Sequence, residues 1–322
     1  MSFPASASGA PKSSRSLRTA PPVVATAPPL RFTLADRAKG YVELTKPRII
    51  ELLLVTTLPT MFVAKRGVPS VTLMALTMVG GALAAGGANA ANMVLDRDID
   101  RLMKRTQKRP LVTGAVGAKD ATAFAVALEV GAFIELYKTV NLLSAVLAVS
   151  ATAFYVLVYT VLLKRTSSQN IVIGGAAGAV PVLVGWAAVT NTLGWAPVVL
   201  FGIIFIWTPP HFWALAIKYR EDYATANVPM LPVVATIKRT ARQILVYSVL
   251  LVALTFVFAL VGHMGPFFFA AALLLGAGFL LTAYRLEHNS TEKQSMAMFR
   301  YSITYLTLLF AAMAADVVIR HP

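Results

Sequence analysis

The stretch Ala91-Asn92-Met93-Val94-Leu95-Asp96-Arg97-Asp98-Ile99-Asp100-Arg101-Leu102-Met103-Lys104 closes a long run of small and apolar residues and opens a charged one. Asn92, Asp96 and Asp100 recur at every fourth position. On a helix this spacing places all three on one face, over about 12 Å. Asp98 is turned roughly 200° away and serves the other face. A basic stripe of Arg97, Arg101 and Arg105 runs beside the acidic one. Lys104, Lys108 and Arg109 follow, and Pro110 is expected to end the helix.

The rest of the chain carries too little charge for a water-facing surface. Of 322 residues, 29 are Lys or Arg and 14 are Asp or Glu, which is 13%; a soluble domain holds roughly 25%. Hydrophobic residues make up 57% and mean hydropathy is +0.69. These values exclude a soluble globular enzyme, and equally a disordered or fibrous chain. The absence of cysteine removes disulfides, thiolate metal sites and cysteine nucleophiles together.

What remains is an all-α fold, a polytopic membrane bundle of nine transmembrane helices. The runs lie at about 49–64, 71–94, 121–137, 141–163, 171–189, 195–217, 243–262, 266–284 and 299–318. They are continuous apolar stretches rather than the short alternating strands of a barrel. With the N-terminus inside, 25 of the 29 Lys and Arg fall on the cytoplasmic side; the other side holds Lys65, Arg66, Lys138 and Arg320. The excess charge of +15 therefore reads as membrane topology, not as nucleic-acid binding. The lipid bilayer is the first partner.

Residues 1–40 read as a disordered cytoplasmic tail ahead of a membrane domain over 41–320. The first 35 residues hold four basic residues and no acid, as a transit peptide does. Six prolines (4, 11, 21, 22, 28 and 29) oppose the amphipathic helix such a peptide needs. A bacterial plasma membrane is the expected location, with the mitochondrial inner membrane as the alternative. Dense small residues, Gly80, Gly81, Gly86 and Gly87 in one span and Gly174, Gly175, Gly178 and Gly185 in another, predict close helix packing.

Three oxygen-bearing side chains at the end of a membrane helix suit a hard cation such as Mg²⁺, which is commonly shared with substrate phosphates. A second segment runs from Pro209-Pro210-His211-Phe212-Trp213 through Lys218-Tyr219-Arg220-Glu221-Asp222-Tyr223 to Pro229-Met230-Leu231-Pro232. Two prolines inside a span are expected to break or kink it and to expose a cavity wall. His211 follows them, and Lys218, Arg220 and Asp222 add charge at the same end. An acidic ladder, a basic stripe and an apolar cavity together suit a substrate with an anionic head and a long apolar tail. Carboxylate-held Mg²⁺ would neutralise a diphosphate while Lys and Arg bind its outer oxygens.

The Asn92-x3-Asp96-x3-Asp100 ladder within nine spans resembles the UbiA superfamily of intramembrane prenyltransferases. Leu44-Thr45-Lys46-Pro47-Arg48, Arg109-Pro110-Leu111, Pro209-Pro210-His211-Phe212 and Asp222-Tyr223 leading to Pro229-Met230-Leu231-Pro232 are similar to its haem-farnesylating branch. The likeness covers roughly residues 40–318. It implies that Asn92, Asp96 and Asp100 hold Mg²⁺ on farnesyl diphosphate, with Asp222 contributing from a second site; Asp96, Asp100 and Asp222 are the implied catalytic residues. It implies diphosphate or haem-propionate contacts by Lys46, Arg48, Lys104, Arg109, Lys218 and Arg220, and a haem contact by His211. The farnesyl group would pass to a vinyl group of haem B, giving haem O for haem A and terminal-oxidase biogenesis, with haem A synthase as a downstream partner. Many superfamily members carry a second Asp-x3-Asp; here Ala226 stands four residues after Asp222, so that second carboxylate is missing.

Two other readings stay open: a UbiA-type enzyme acting on a quinone precursor or another tetrapyrrole, and a cation-coupled transporter using Asp96, Asp100 and Asp222 as ion sites beside a helix broken at Pro209-Pro210. A CDP-alcohol phosphotransferase lacks support, because no Gly-Ala-Arg run precedes the aspartates. Glu51 is expected to pair with Arg48. Glu129, Glu135 and Asp316 have no account at this level.

Overall fold

A computed structural model describes residues 32–321; most of the expected N-terminal tail lies outside the described residues. The regular structure of the described residues is all helical. Four short helices, α1 (Leu34–Thr45), α4 (Arg97–Leu102), α5 (Pro110–Thr113) and α10 (Arg220–Thr225), lie among the long ones, with a fifth, α11 (Leu231–Val234), before α12. The long helices are α2 (Pro47–Lys65), α3 (Val71–Leu95), α6 (Ala118–Thr139), α7 (Leu142–Ala153), α8 (Asn170–Thr190), α9 (Trp195–Lys218), α12 (Ile237–Val261), α13 (Pro266–Asn289) and α14 (Glu292–Arg320). Helix α7 runs on directly into a π-helix over Phe154–Leu163.

Among the described residues, seven segments are long and apolar enough to cross a membrane by length and composition. The protein is thus an integral membrane protein of the expected class; seven of the nine expected spans meet that measure among the described residues. The other two expected spans fall in α2 and α6, which are helical over 19 and 22 residues. Helix α6 carries Lys119, Asp120, Glu129, Glu135 and Lys138.

The helix starts follow ordinary capping chemistry. Thr33 and Asp36 form a reciprocal capping box at α1, which begins ahead of the domain boundary expected at residue 41. Ser70, Asn141, Thr236 and Thr291 each accept a backbone N–H with their side chain at the starts of α3, α7, α12 and α14. Close packing depends on small residues in α8. A Cβ on Gly174 would sit 2.3 Å from the Tyr159 ring, and one on Gly175 would sit 2.9 Å from Thr208. These notches let the π-helix and α9 close onto α8.

Two local expectations change. The chain does not break at Pro209-Pro210: both prolines are buried inside the continuous α9. Helix α9 packs against α8, α12 and α14, and that packing holds it together where two ladder N–H groups are missing. Pro110 does not end a helix either; it occupies the first position of α5, where its missing N–H costs nothing.

The unassigned acids find structural partners. Glu129 accepts from Thr152 Oγ1 at 3.0 Å and lies against Gly87 of α3; Glu135 accepts from Thr139 Oγ1 at 3.0 Å and lies against Gly80. Glu51 and Arg48 are both exposed, and no ion pair joins them. Asp316 is fully buried and ties α14 to the start of α13. It accepts from the backbone of Gly265 (2.7 Å) and Phe268 (3.2 Å) at the start of α13, and from Arg320 Nε (3.0 Å). Arg320 also donates to the His263 carbonyl at 2.7 Å. Asp316→Ala strands these donors, so it should lower stability by roughly 2–4 kcal/mol. The measurement is a thermal or denaturant melt in detergent, in which Asp316→Asn should lose less.

Candidate functional site

The ladder forms, although not on one unbroken helix. Helix α3 stops at Leu95, Asp96 is its C-cap with φ −90° and ψ 1°, and α4 starts at Arg97. The four-residue hydrogen bonding survives the joint: Asp96 N donates to Asn92 O and Asp100 N to Asp96 O, each at 2.9 Å. Asn92, Asp96 and Asp100 therefore keep a common face, and all three are buried, both aspartates completely.

Ionised carboxylates cannot sit in such a place without partners. Three cations arrive from three other parts of the chain. Lys46 donates to Asn92 Oδ1 at 2.8 Å, Lys164 pairs with Asp96 Oδ2, and Arg109 reaches Asp100 Oδ2 at 2.6 Å. Asn92 Nδ2 donates to Asp96 Oδ2 at 2.7 Å and to Thr160 Oγ1 at 3.1 Å. One oxygen on each aspartate, Asp96 Oδ1 and Asp100 Oδ1, remains buried with no hydrogen-bond partner. Arg165 comes within 4.0 Å of Asp96 Oδ1, but its guanidinium is held by a two-pronged bond to Asp98 at 2.6 and 2.7 Å.

Backbone placement explains each arrival. Lys46 joins α1 to α2 in a left-handed turn (φ 53°, ψ 65°) that glycine would fill at less cost. Asn89 supports that turn by donating to Thr45 O at 2.9 Å. Burial lowers the Lys46 ammonium to about 7; Arg109 and Lys164 push the same way, and Asp96 and Asp100 oppose them. Thr106 anchors the loop leading to Arg109 by donating to the Asp100 carbonyl at 2.7 Å.

Thr160 and Lys164 depend on the π-helix. On an α-helix, residues five apart diverge by about 140° and nine apart by about 180°. Here the repeat is five: Thr160 Oγ1 donates to Tyr155 O (2.9 Å) and Lys164 N to Tyr159 O (2.8 Å). Widening the turn brings Tyr155, Thr160 and Lys164 toward one face, the one that meets α3. Tyr155 and Tyr159 stack at 5.3 Å. Such π-segments occur frequently at functional sites.

The remaining expected residues do not join this cluster. Arg48, Lys104, Lys218 and Arg220 are exposed and contact no ladder residue. Lys218 lies over the Tyr219 ring at 5.8 Å, and Arg220 lines a surface cleft of about 350 Å³ with Val233, Thr236 and Arg239. Asp222 is half-buried on α10, and among the described residues no three His, Cys, Asp or Glu side chains gather as a metal-ligand group. The two segments around the ladder are nevertheless joined: Arg105 donates to the Tyr223 hydroxyl at 2.9 Å and covers the Tyr219 and Tyr223 rings at 5.4 and 4.9 Å.

His211 is buried between Trp207 (4.3 Å) and Phe299 (4.7 Å), with Nδ1 2.7 Å from Ser302 Oγ. Ser302 donates its one proton to Phe299 O at 2.6 Å, so His211 Nδ1–H is the donor and Nε2 keeps its lone pair.

Lys164, Arg165 and Thr160 escaped the sequence reading as site residues. The available signal was slight: between Lys138 and Lys218, Lys164 and Arg165 are the only charged side chains. Asp98 does serve the other face, where its bond to Arg165 holds its carboxyl down at about 2.

Comparison with known proteins gives concordant matches. The model of the UbiA prenyltransferase family matches residues 53–308. The chain is 51% identical over 290 residues to a protein of Streptomyces coelicolor named protoheme IX farnesyltransferase, covering 88% of this chain and 92% of that one. In fold it is similar to digeranylgeranylglyceryl phosphate synthase (TM-score 0.73, 16% identity, 88% of this chain and 99% of that one). It is also similar to a UbiA homolog from Archaeoglobus fulgidus bound to DMAPP and Mg²⁺ (TM-score 0.63, 18% identity, 85% and 98%).

The paired charges predict an asymmetry. Lys164→Met leaves Asp96 buried and uncompensated and should cost roughly 3–5 kcal/mol. Adding Asp96→Asn to that variant should restore most of the loss in a denaturant melt, because no buried charge then lacks a partner.

Proposed function

The chain belongs to the UbiA prenyltransferase family, and from that membership we propose that it transfers the farnesyl group of farnesyl diphosphate to a vinyl group of haem B; diphosphate leaves, and a water molecule adds its hydroxyl to the resulting cation and releases a proton, giving haem O. Half-identity to a protoheme IX farnesyltransferase over most of both chains is the observation that carries this reading.

The ladder supports it chemically. Asp96 Oδ1 and Asp100 Oδ1 are buried, anionic and without a hydrogen-bond partner, which is what a hard cation requires of a carboxylate site. Asp96 and Asp100 would hold Mg²⁺ with Asn92, and Asp222 would contribute from the neighbouring loop. Bound there, Mg²⁺ supplies charge neutralisation for the departing diphosphate. Lys46, Lys164 and Arg109 turn from the ladder to the diphosphate oxygens, and Arg48, Lys104, Lys218 and Arg220 remain as outer contacts for diphosphate or propionate. The apolar bundle holds the isoprenoid tail and keeps water from the allylic centre until the vinyl group attacks. His211, with a free Nε2, is the haem contact. The protein works in the plasma membrane with its N-terminus in the cytoplasm, and its product passes to haem A synthase.

Asp96→Ala or Asp100→Ala should reduce transfer at least a hundredfold while the protein still inserts and folds. The assay supplies labelled farnesyl diphosphate with haem B or with hydroxybenzoate. Label found only on the benzoate, or wild-type product from both variants, refutes the assignment. The chain has no cysteine, so single substitutions report orientation directly. Lys108→Cys should react with an impermeant maleimide only in inverted vesicles, and Lys138→Cys only in right-side-out ones.

A further inference from the structure

The surface cleft of about 350 Å³ lies where three elements meet, away from the ladder cluster. Arg220 comes to it from α10, Val233 and Val234 from α11, and Arg239 from the first turn of α12. No acid lines it. Among the described residues neither Arg220 nor Arg239 joins an ion pair. Two guanidinium groups from different helices thus share one cleft, with no acidic side chain to match them. Val234 stands 58% exposed beside them.

The place of the cleft along α12 decides what kind of anion it faces. No Lys, Arg, Asp or Glu follows Arg242 until Arg285, so α12 enters the apolar part of the membrane directly beyond the cleft. Arg239, Arg242, Val246, Leu250, Val257 and Leu260 are all exposed. On one helix they fall within about 80° of each other. This face is cationic at its charged end and apolar for about four turns beyond. A soluble anion would use only the cleft. A lipid with an anionic head would use both parts, its phosphate in the cleft and an acyl chain along the stripe. A zwitterionic lipid would bring its own cation up to the two arginines.

We propose that this cleft binds an anionic phospholipid of the phosphatidylglycerol class, with the phosphodiester between Arg220 and Arg239 and an acyl chain on the exposed face of α12. Guanidinium groups match phosphate oxygens in geometry as well as charge. The positive end of the α12 dipole adds to them. Basic pockets at the ends of membrane helices hold anionic headgroups on the same grounds. A lipid held in this way bridges α10 to α12 across α11. The site is independent of the transfer reaction. Arg220 is shared with the outer contacts named above, whereas Arg239 belongs to the cleft alone and carries the test.

Native mass spectrometry of the full-length protein in an uncharged detergent resolves each bound lipid. The titrants are dioleoyl phosphatidylglycerol and dioleoyl phosphatidylcholine, which differ only in the headgroup. The wild type should take one phosphatidylglycerol ahead of any further lipid, about tenfold more tightly than phosphatidylcholine. Arg239→Gln should weaken that first binding on the order of tenfold. Val234→Glu sets a carboxylate beside the arginines, leaves both in place, and should weaken it as much. Arg285→Gln removes the same charge near the end of α13, outside the cleft, and should leave the first binding unchanged. Phosphatidylglycerol should also raise the melting temperature of the wild type more than that of either cleft variant. Equal affinity for the two lipids, or equal losses from Arg239→Gln and Arg285→Gln, overturns the proposal. So does displacement of the bound lipid by inorganic diphosphate, which would mark a site for soluble anions. If one cleft variant does not fold, the other decides. Binding is read on the resting protein without substrate, so no outcome bears on the proposed reaction.

Discussion

Two fully buried aspartates need counter-charge, and that requirement organises the functional end of this bundle. Neither Asp96 nor Asp100 is neutralised by its own helix. The cations come from the α1–α2 turn, from the end of the π-helix and from the loop before α5. Two of these places have an unusual backbone: a lysine in a left-handed turn and a five-residue helical repeat. The local cost of such conformations is of order 1 kcal/mol each. It is small beside that of leaving one carboxylate unpaired at the same depth.

The same constraint separates the site from the scaffold around it. Asp316 is equally buried, yet two backbone N–H groups and Arg320 satisfy it, so it stitches α14 to α13 and has no oxygen to spare. The ladder aspartates each keep one oxygen free. Glu129 Oε2 and Glu135 Oε2 are also buried without a hydrogen-bond partner, so the ladder is set apart by two such carboxylates on one face with three cations beside them. The Arg105–Tyr223 bond then joins the two polar segments over the ladder end, so that the segment carrying Asp222 is tied to the one carrying Asp100.

Several expectations changed for reasons that lie in packing. Pro209 and Pro210 read as a break or a kink because each removes a backbone bond; no break occurs, and α9 is enclosed by three neighbours that hold it in one piece. Pro110 read as a terminator and instead starts a helical turn. Arg220 and Lys218, diphosphate or propionate contacts by the family resemblance, lie along a surface cleft and over a tyrosine ring, outside the buried cluster. Basic residues near one another in sequence share an end of a membrane protein for topological reasons, so proximity along the chain does not show which of them turn inward.

The sequence by itself determined the all-helical membrane class, because an apolar run long enough to cross lipid has almost no alternative to a helix. It also determined the ladder, because a spacing of four residues maps onto one helical face whether or not the helix is interrupted at Asp96. Lys46 and Arg109 were legible through the stretches that resemble the family. Thr160 and Lys164 were not, since their side of the helix depends on whether the turn holds 3.6 residues or more. That choice was made by the tertiary structure: Gly174 makes room for Tyr159, and Asn92 and Asp96 supply partners for the side chains that the wider turn delivers.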